Sequence, residues 1–362
     1  VSAIGIDAAD GLYSVSAQIF IPKADDGGNQ NKKIVTTDGR TVSEAVDLIK
    51  LKCGRGASMT QCYLVILGKG VAETDVLSPL DYFMRNTRVS WNAMLVSTSG
   101  SALGALENIT NMEEQCAFSW RNFLDLSRRS SQGAAMTVKN FLSDMYSESR
   151  AGFLMALDPE KPAAEQNVGG SDAEEGGGSE LQGSLDTSQK TFMFNHIQKT
   201  GELDRNGTQG LNWMYNNARS TVFSVDAPDD GIFGGAAVAL SMRKKHVSLK
   251  SEFIGGVPHL TVRIKGQYDV LEIKTAEKLD NISASGEYKQ SKRLAEAVNG
   301  RIEADLRSVF LKSQSLKTDC IGISTMFYER NFKEYKRYTS QNGKETFLDN
   351  VILRVECDTK IL

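Results

Sequence analysis

Histidine, proline and cysteine are all scarce in this chain of 362 residues, which has three, six and five of them respectively. The histidines are His196, His246 and His259, and none has an acid or a nucleophile at a spacing typical of a catalytic site. The cysteines are scattered and form no C-x-x-C pair, which argues against a disulfide framework and a structural zinc site. We therefore expect no metal, no cofactor and no assembled catalytic site.

A basic excess and a long apolar run are also missing. The chain has 42 Lys and Arg against 45 Asp and Glu, so we expect no nucleic-acid partner. No apolar run approaches the roughly 18 residues of a membrane helix, and no signal peptide is visible. Because Val1 already lies in a predicted strand, we expect that an upstream segment has been removed. The composition, 40% hydrophobic and 24% charged, is typical of a globular protein of two or three domains.

Two fragments resemble ligand-binding loops and fail on inspection. CYLVILGKGVAETDVLSPLDYFMRN, residues 62–86, has the strand, glycine and helix order of a dinucleotide site, but Glu73 occupies the third glycine position. ELDRNGTQG, residues 202–210, resembles part of a calcium loop, but Trp213 stands where the closing bidentate acid belongs. A turn before a helix, with Thr208 as its N-cap, is the favoured interpretation of the second fragment.

Hydrophobic periodicity predicts the elements of the first part of the chain. Residues 2–21 form a hairpin around Asp10-Gly11, and ADDGGNQNKK is a polar loop. A helix follows, capped by Thr41 or Ser43; its apolar face comprises Val42, Ala45, Val46 and Ile49. Further predictions are strands at 62–67, 93–98 and 151–158 and helices at 77–86 and 103–148.

The second part is predicted in the same way. TFMFNHI and STVFSV are strands on either side of the helix GLNWMYNNA, and two long strands span 235–255 and 258–273. Residues 286–316 form one long helix; its apolar stripe comprises Leu294, Ala295, Val298, Ile302, Leu306, Val309, Phe310 and Leu311. A helix near 320–337 and a last strand with Val351, Leu353, Val355 and Cys357 complete the chain.

These elements indicate an α+β protein of three mixed α/β domains, with largely antiparallel or mixed sheets flanked by helices. Residues 1–157 form an N-terminal α/β domain, 189–234 a small middle domain, and 235–362 a C-terminal domain of antiparallel strands with long helices. Residues 158–188 are predicted to be an acidic, glycine-rich flexible linker, because this segment has too few apolar residues to offset the entropy of ordering.

The order of the segments is more specific than any single motif. AIGID with the following Y-x-V-x-A-Q strand resembles the first hairpin of the Ger(x)C family, and GRTVSEAVDLI resembles its first helix. YLVILGKGVAETDVLSPLDYFMRN resembles the strand, turn and "L-D-F-x-x-R" helix of the family, with Asp81 and Arg85 at its polar positions. GLNWMYNNA resembles the "G-L-x-W" helix, and KTDCIGISTMFYERNFKEYK resembles the segment before the closing strands. The residues that carry these last two are Gly210, Leu211, Trp213, Asp319 and Gly322.

The resemblance implies a C subunit of a nutrient germinant receptor of endospore-forming bacteria. Such a subunit is a non-catalytic lipoprotein on the outer face of the spore inner membrane, and it works with two integral-membrane subunits, A and B. The lipid-bearing cysteine is absent from this sequence. Phe332 and Tyr335 depart from the family, which often has proline and tryptophan there. Asp81 and Arg85, at i and i+4, are more readily explained as an ion pair within a helix than as a partner contact.

Two other functions stay open at this point. A solute-binding lipoprotein that captures the germinant directly needs a concave pocket with convergent polar groups. An enzyme built from scattered carboxylates needs a cleft with strongly perturbed acids. A scaffold needs neither, and should show an exposed apolar patch instead.

Overall fold

The computed structural model describes residues 1–21, 31–54, 58–86, 89–112, 116–157, 190–215, 220–227, 235–274 and 292–362. The predicted linker 158–188 lies outside these ranges. Contacts between residues divide the chain into two compact units. Unit 1 is Val1–Arg121 with Ala156–Ser188, and unit 2 is Asn122–Met155 with Gln189–Leu362. The three-domain division drawn from the sequence stays a prediction.

Thirteen strands and ten helices are described in these ranges. In chain order they are β1 (Ala3–Ala9), β2 (Leu12–Ile21), β3 (Asn31–Gly39), α1 (Val42–Cys53), β4 (Leu64–Leu67), α2 (Lys69–Thr74), α3 (Leu77–Arg85), β5 (Met94–Ser97), α4 (Ala102–Met112), α5 (Cys116–Arg129), β6 (Met136–Thr137), α6 (Val138–Met145), β7 (Ala151–Ala156), β8 (Thr191–Asn195), β9 (Gln198–Leu203), α7 (Arg205–Met214), β10 (Val222–Asp226), β11 (Ala237–Ile254), β12 (Val257–Lys274), α8 (Lys292–Ser315), α9 (Ile323–Arg330), α10 (Phe332–Asn342) and β13 (Ile352–Ile361). The α+β prediction is confirmed.

Unit 1 contains a mixed sheet with the strand order β3-β2-β1-β4-β5. The predicted hairpin is confirmed: β1 and β2 are antiparallel, and Asp10 and Gly11 turn the chain at φ values of 53° and 76°. β4 joins β1, and β5 joins β4, in the parallel direction. β3 was missed, because the predicted polar loop ran to Lys33. The β-branched run Ile34–Thr37 favours a strand, and it pairs antiparallel with β2.

Helix α1 forms as predicted. Thr41 is its N-cap, with the hydroxyl accepting a hydrogen bond from the Glu44 N–H at 3.2 Å. The four residues of the predicted apolar face are all buried: Val42, Ala45, Val46 and Ile49. The prediction that residues 103–148 are helical is wrong at 130–137. The chain leaves the helical path after α5, where Ser131 has φ 60°, and starts again at α6, where Thr137 accepts a hydrogen bond from the Asn140 N–H.

Unit 2 contains the antiparallel strands β7-β8-β9 and a four-stranded sheet with the order β10-β11-β12-β13. The β8–β9 hairpin was missed, and His196, expected in a strand, lies in its turn with φ 57°. The long β11–β12 hairpin is confirmed, with Gly255 and Gly256 at positive φ. β13 runs parallel to β12, so this sheet is mixed and not antiparallel as expected.

The long helix is present as α8, while residues 286–291 lie outside the described ranges. Most of the predicted stripe is buried, but Leu311 is 60% exposed, because one residue of a helix turns the side chain by about 100° away from Phe310. The helix predicted over 320–337 is two helices, α9 and α10, separated at Asn331. None of the described helices is long and apolar enough to span a membrane.

Candidate functional site

Asp319 and Gly322 form the turn that starts helix α9. The Asp319 carboxylate is 5% exposed and accepts hydrogen bonds from the N–H groups of Ile323 at 2.8 Å and Ser324 at 2.6 Å. Gly322 has φ 81°, a left-handed conformation that favours glycine. Burial raises the pKa of Asp319, and these hydrogen bonds oppose that effect. The pair therefore sets where α9 begins.

The same carboxylate connects α9 to the loop after α6. The Ser149 hydroxyl donates to Asp319 at 2.8 Å, and the Ser149 N–H donates to the Thr325 hydroxyl at 3.0 Å. The Thr325 N–H in turn donates to the Ser149 hydroxyl at 3.1 Å. Asp319 thus has three donors and holds together two segments that are 170 residues apart.

Gly210 lets helix α7 approach helix α8. A methyl group at Gly210 would overlap the Asp305 carbonyl oxygen and lie 2.6 Å from the Asp305 carbonyl carbon. Leu211 and Trp213, the other residues of this motif, are 0% and 2% exposed. The three residues are therefore packing residues of the α7–α8 contact. The N-cap of α7 is Asp204, which accepts from the Gly207 N–H at 2.8 Å, and not Thr208 as expected.

A partly buried ion pair, of a buried Asp305 and a one-third exposed Arg301, lies beside this contact. Arg301 Nε is 3.0 Å from Asp305 Oδ1, and the Arg301 guanidinium also donates to the side-chain oxygens of Asn206 and Gln209. Burial raises the pKa of Asp305 to about 6, although Arg301 and the Trp213 indole lower it. Arg301 therefore compensates the buried acid only in part.

A lysine lies on the other side of Trp213. The Lys245 ammonium is 4.9 Å from the centre of the Trp213 ring, and it has no hydrogen-bond partner among the described residues. Burial lowers the pKa of Lys245 to about 8. Lys245 lies in the short basic run Arg243–His246 on β11, opposite Gly266 of β12.

Asp81 and Arg85 lie together on α3 in unit 1. Arg85 Nε is 2.6 Å from Asp81 Oδ2, and the two side chains are 80% and 42% exposed for Arg85 and Asp81. Both border a cleft of about 630 Å³; its other lining residues are Tyr13, Arg40, Thr41, Val42, Ser43, Ser78, Tyr82 and Asn86. The pair is exposed, so it lies where a partner can reach it.

The glycines of the strand–turn–helix segment 62–86 allow close approach of β1. A methyl group at Gly70 would overlap the Ala8 carbonyl, and one at Gly68 would overlap the Asp7 carboxylate. Asp7 was missed by the sequence analysis. It ends the AIGID motif and caps α4, accepting from the N–H groups of Ala102 at 2.8 Å and Leu103 at 3.1 Å. An acid at the end of a buried strand was the only local signal.

A second acid missed from the sequence is Asp144. It lies at the end of α6 in a cleft of about 370 Å³ within unit 2, which we call the Asp144 cleft. Its lining residues are Ser143, Asp144, Ser147, Ala151, Met214, Tyr215, Leu249, Ile321, Gly322, Thr325, Met326, Glu329 and Arg330. The Tyr215 hydroxyl lies 3.3 Å from Asp144 Oδ2, and burial raises the pKa of Asp144 to about 6.

The cysteines described in the interior are unreactive thiols. Cys62 and Cys320 are buried, and burial raises the pKa of each to about 12. In the described residues, no three His, Cys, Asp or Glu side chains lie close enough together to hold a metal ion. The motif residues instead cap helices and allow close packing.

These features define the class of the protein as a mixed α/β protein of two units. Its motif residues cap helices and allow close packing of helices and strands. The family model described as the spore germination protein N-terminal domain matches residues 1–158. The model described as spore germination B3/GerAC like, C-terminal, matches residues 189–362. The chain belongs to this family of spore germination proteins, the family of germinant receptor C subunits, and the resemblance drawn from the sequence is confirmed.

One solved structure, described as the crystal structure of the GerBC protein, is similar along nearly the whole chain. The TM-score is 0.58 at 15% sequence identity, and the match covers 99% of this chain and 96% of that chain. At this identity the likeness shows the fold alone. No curated protein matches the chain.

Proposed function

We propose that this protein is the non-catalytic C subunit of a spore germinant receptor, and that it assembles with the integral-membrane A and B subunits to turn nutrient binding into germination. The family match over both parts of the chain carries this proposal. The contacts of the motif residues support it. Asp319, Gly210 and Thr41 serve capping and packing in the two units.

We place the protein on the outer face of the spore inner membrane, held by an N-terminal lipid. In this proposal the two units supply surfaces for partner subunits, and no chemical step occurs on the chain. Asp81 and Arg85 are candidate contact positions, because their ion pair is exposed beside the unit 1 cleft. Gly210, Leu211, Trp213, Asp319 and Gly322 are candidate structural positions.

The germination role is tested with spores from a strain deleted for the full-length gene. Each candidate nutrient is supplied separately, and germination is followed as loss of refractility. We expect failure with some nutrients, restored by the full-length gene but not by a version without the lipid-attachment cysteine. Equal spore yields from all strains provide the control. Normal germination with every nutrient in the deleted strain would contradict the proposal.

Assembly is tested separately by detergent extraction of spore membranes that contain a tagged, full-length form of this protein. We expect the A and B subunits of one receptor to copurify with it. Their recovery should fall when the motif of one unit is disrupted, for example by Gly210→Ala. Recovery of the tagged protein without either membrane subunit would contradict assembly.

A further inference from the structure

The Asp144 cleft holds an acid without a cation. In the part of the chain that the structure describes, no basic side chain forms an ion pair with Asp144. Among the described residues, the Asp144 carboxylate accepts one hydrogen bond, from the Tyr215 hydroxyl at 3.3 Å, and that hydroxyl lies closer to the Cys320 carbonyl oxygen, at 3.0 Å. Because a hydroxyl has one proton, the nearer Cys320 carbonyl oxygen competes with the carboxylate for it, and Asp144 has no second donor within the described ranges.

The position of Asp144 in helix α6 also disfavours its negative charge. Asp144 is the last residue but one of α6, and the C-terminal end of a helix carries a partial negative charge. A carboxylate there is disfavoured, whereas a cation is favoured. Burial acts in the same direction, and it raises the pKa of Asp144 to about 6.

The charged groups around Asp144 do not neutralise it. Asp319 is close enough to Tyr215 to raise the pKa of its hydroxyl, and Glu329 lines the cleft from α9. Arg330 is the only basic residue among the lining residues, and its guanidinium donates to the Leu249 carbonyl oxygen at 2.6 Å. The lining therefore carries more negative than positive charge.

We propose that the Asp144 cleft binds a small molecule carrying a primary ammonium group, which donates a hydrogen bond to the Asp144 carboxylate. Met214, Ile321 and Met326 provide apolar surface for the carbon chain of such a molecule. Ser143 and Glu329 also line the cleft and carry acceptor oxygens. A cleft of about 370 Å³ is at the small end of the range for ligand sites.

The donor set favours an ammonium group over a divalent metal ion. Calcium takes six to eight oxygen ligands and magnesium needs an octahedral set, usually with several carboxylates or waters. The lining has two carboxylates, of Asp144 and Glu329, and its other residues include a tyrosine and two methionines. An ammonium group needs three acceptors at most, and its carbon chain uses the apolar wall.

This site goes beyond the proposed receptor role and does not depend on it. A C subunit with such a cleft would recognise a small molecule as well as its partner subunits, which is the solute-binding alternative drawn from the sequence. The two ideas have separate readouts. Binding is measured on the purified full chain, and germination is measured on spores.

The test uses propylammonium as the probe and 1-propanol as a neutral molecule of the same size. The carboxyl carbon of Asp144 is followed by NMR in the full chain while pH is varied. We expect saturating propylammonium to lower the pKa of Asp144 by at least one unit, and 1-propanol to leave it unchanged. Affinity for propylammonium should fall about tenfold between pH 7.5 and pH 5, because Asp144 becomes protonated.

Asp144→Asn and Asp349→Asn provide the matched pair of variants, since Asp349 is exposed and lies outside the cleft. We expect Asp144→Asn to weaken propylammonium binding at least tenfold at pH 7.5, and Asp349→Asn to have no effect. Equal affinity in the wild type and Asp144→Asn would overturn the proposal. If Asp144→Asn does not fold, the NMR titration of the wild type decides alone, and an unmoved Asp144 titration overturns the proposal.

Discussion

Two carboxylates of unit 2, those of Asp319 and Asp144, differ in how well hydrogen bonds compensate their burial. Asp319 is buried with three donors at 2.6 to 2.8 Å and connects two segments of the fold. Among the described residues, the Asp144 carboxylate has one long hydrogen bond, from a hydroxyl that lies closer to a carbonyl oxygen. Burial raises the pKa of both acids. The three donors compensate Asp319 for its burial and connect two segments of the fold, whereas Asp144 has no comparable compensation, which is typical of a group retained for binding.

Other residues fall into the same two groups, namely residues with complete contacts and buried charged residues with few partners. Gly210 and Thr41 take part in contacts that the fold completes, as Asp319 does. Lys245 resembles Asp144, because its buried ammonium has no hydrogen-bond partner in the described residues. Substitutions in the first group should therefore destabilise the protein, and substitutions in the second should stabilise it.

The largest effect is expected at Asp319. Asp319→Asn replaces one acceptor oxygen by an NH₂ group that faces N–H donors, so the free energy of unfolding should fall by about 3 kcal/mol. Urea unfolding of the purified chain measures this. Asp349→Asn, on an exposed residue, should change the stability by less than about 0.5 kcal/mol. Equal stability of Asp319→Asn and the wild type would remove the contrast with Asp144.

Two glycines on facing helices provide the next test. Gly210→Ala places a methyl group against the Asp305 carbonyl and should destabilise the protein by about 2 kcal/mol, through overpacking of the α7–α8 contact. Gly300, on α8, has open space around its added methyl group. Gly300→Ala should therefore stabilise the protein by up to about 1 kcal/mol, through higher helix propensity. The same sign for both variants would contradict the packing role of Gly210.

Lys245 should show the opposite behaviour to Asp319. Its folded pKa of about 8 lies below the unfolded value of 10.5, so its contribution to stability is full above pH 10.5 and is lost as pH falls through 8. Lys245→Met should therefore stabilise the protein at pH 7, by about 2 kcal/mol after allowance for partial exposure and the Trp213 contact. The gain should disappear near pH 10.5. Lys244→Met, at the exposed neighbouring position, is the control.

Asp144→Asn should stabilise the protein by about 1 kcal/mol at pH 7 without ligand. The folded pKa of about 6 lies above the unfolded value of 3.8, so the acid contributes stability below pH 3.8 and loses it as pH rises through 6. The gain of the variant should therefore vanish below pH 4. A loss of stability at pH 7 would place Asp144 with Asp319, and would remove the energetic argument for a ligand.

The sequence analysis found some of these residues and missed others. It found features that depend on residues near in sequence, and it missed contacts between residues far apart in the chain. Helix α1 was found with its cap and its buried face because Thr41, Glu44 and the apolar spacing are local. Asp319 and Gly322 were singled out only by the family resemblance, and the donor Ser149, which is 170 residues from Asp319, was not found. Nothing in VKNFLSDM marks Asp144, because its surroundings come from α7 and α9. The breaks after α5 and at Asn331 were missed because the apolar period continues across them.

The smallest effect on stability is expected at Arg85, and it separates a structural role from a contact role. The Asp81–Arg85 pair is exposed, so solvent screens it, and Arg85→Ala should change the free energy of unfolding by less than about 0.5 kcal/mol. Spores that carry full-length Arg85→Ala should then germinate normally if the pair serves the helix alone. Unchanged stability with a lost nutrient response would instead identify α3 as a contact surface. A loss of stability above about 1 kcal/mol would contradict both interpretations, because an exposed pair within one helix does not supply that much.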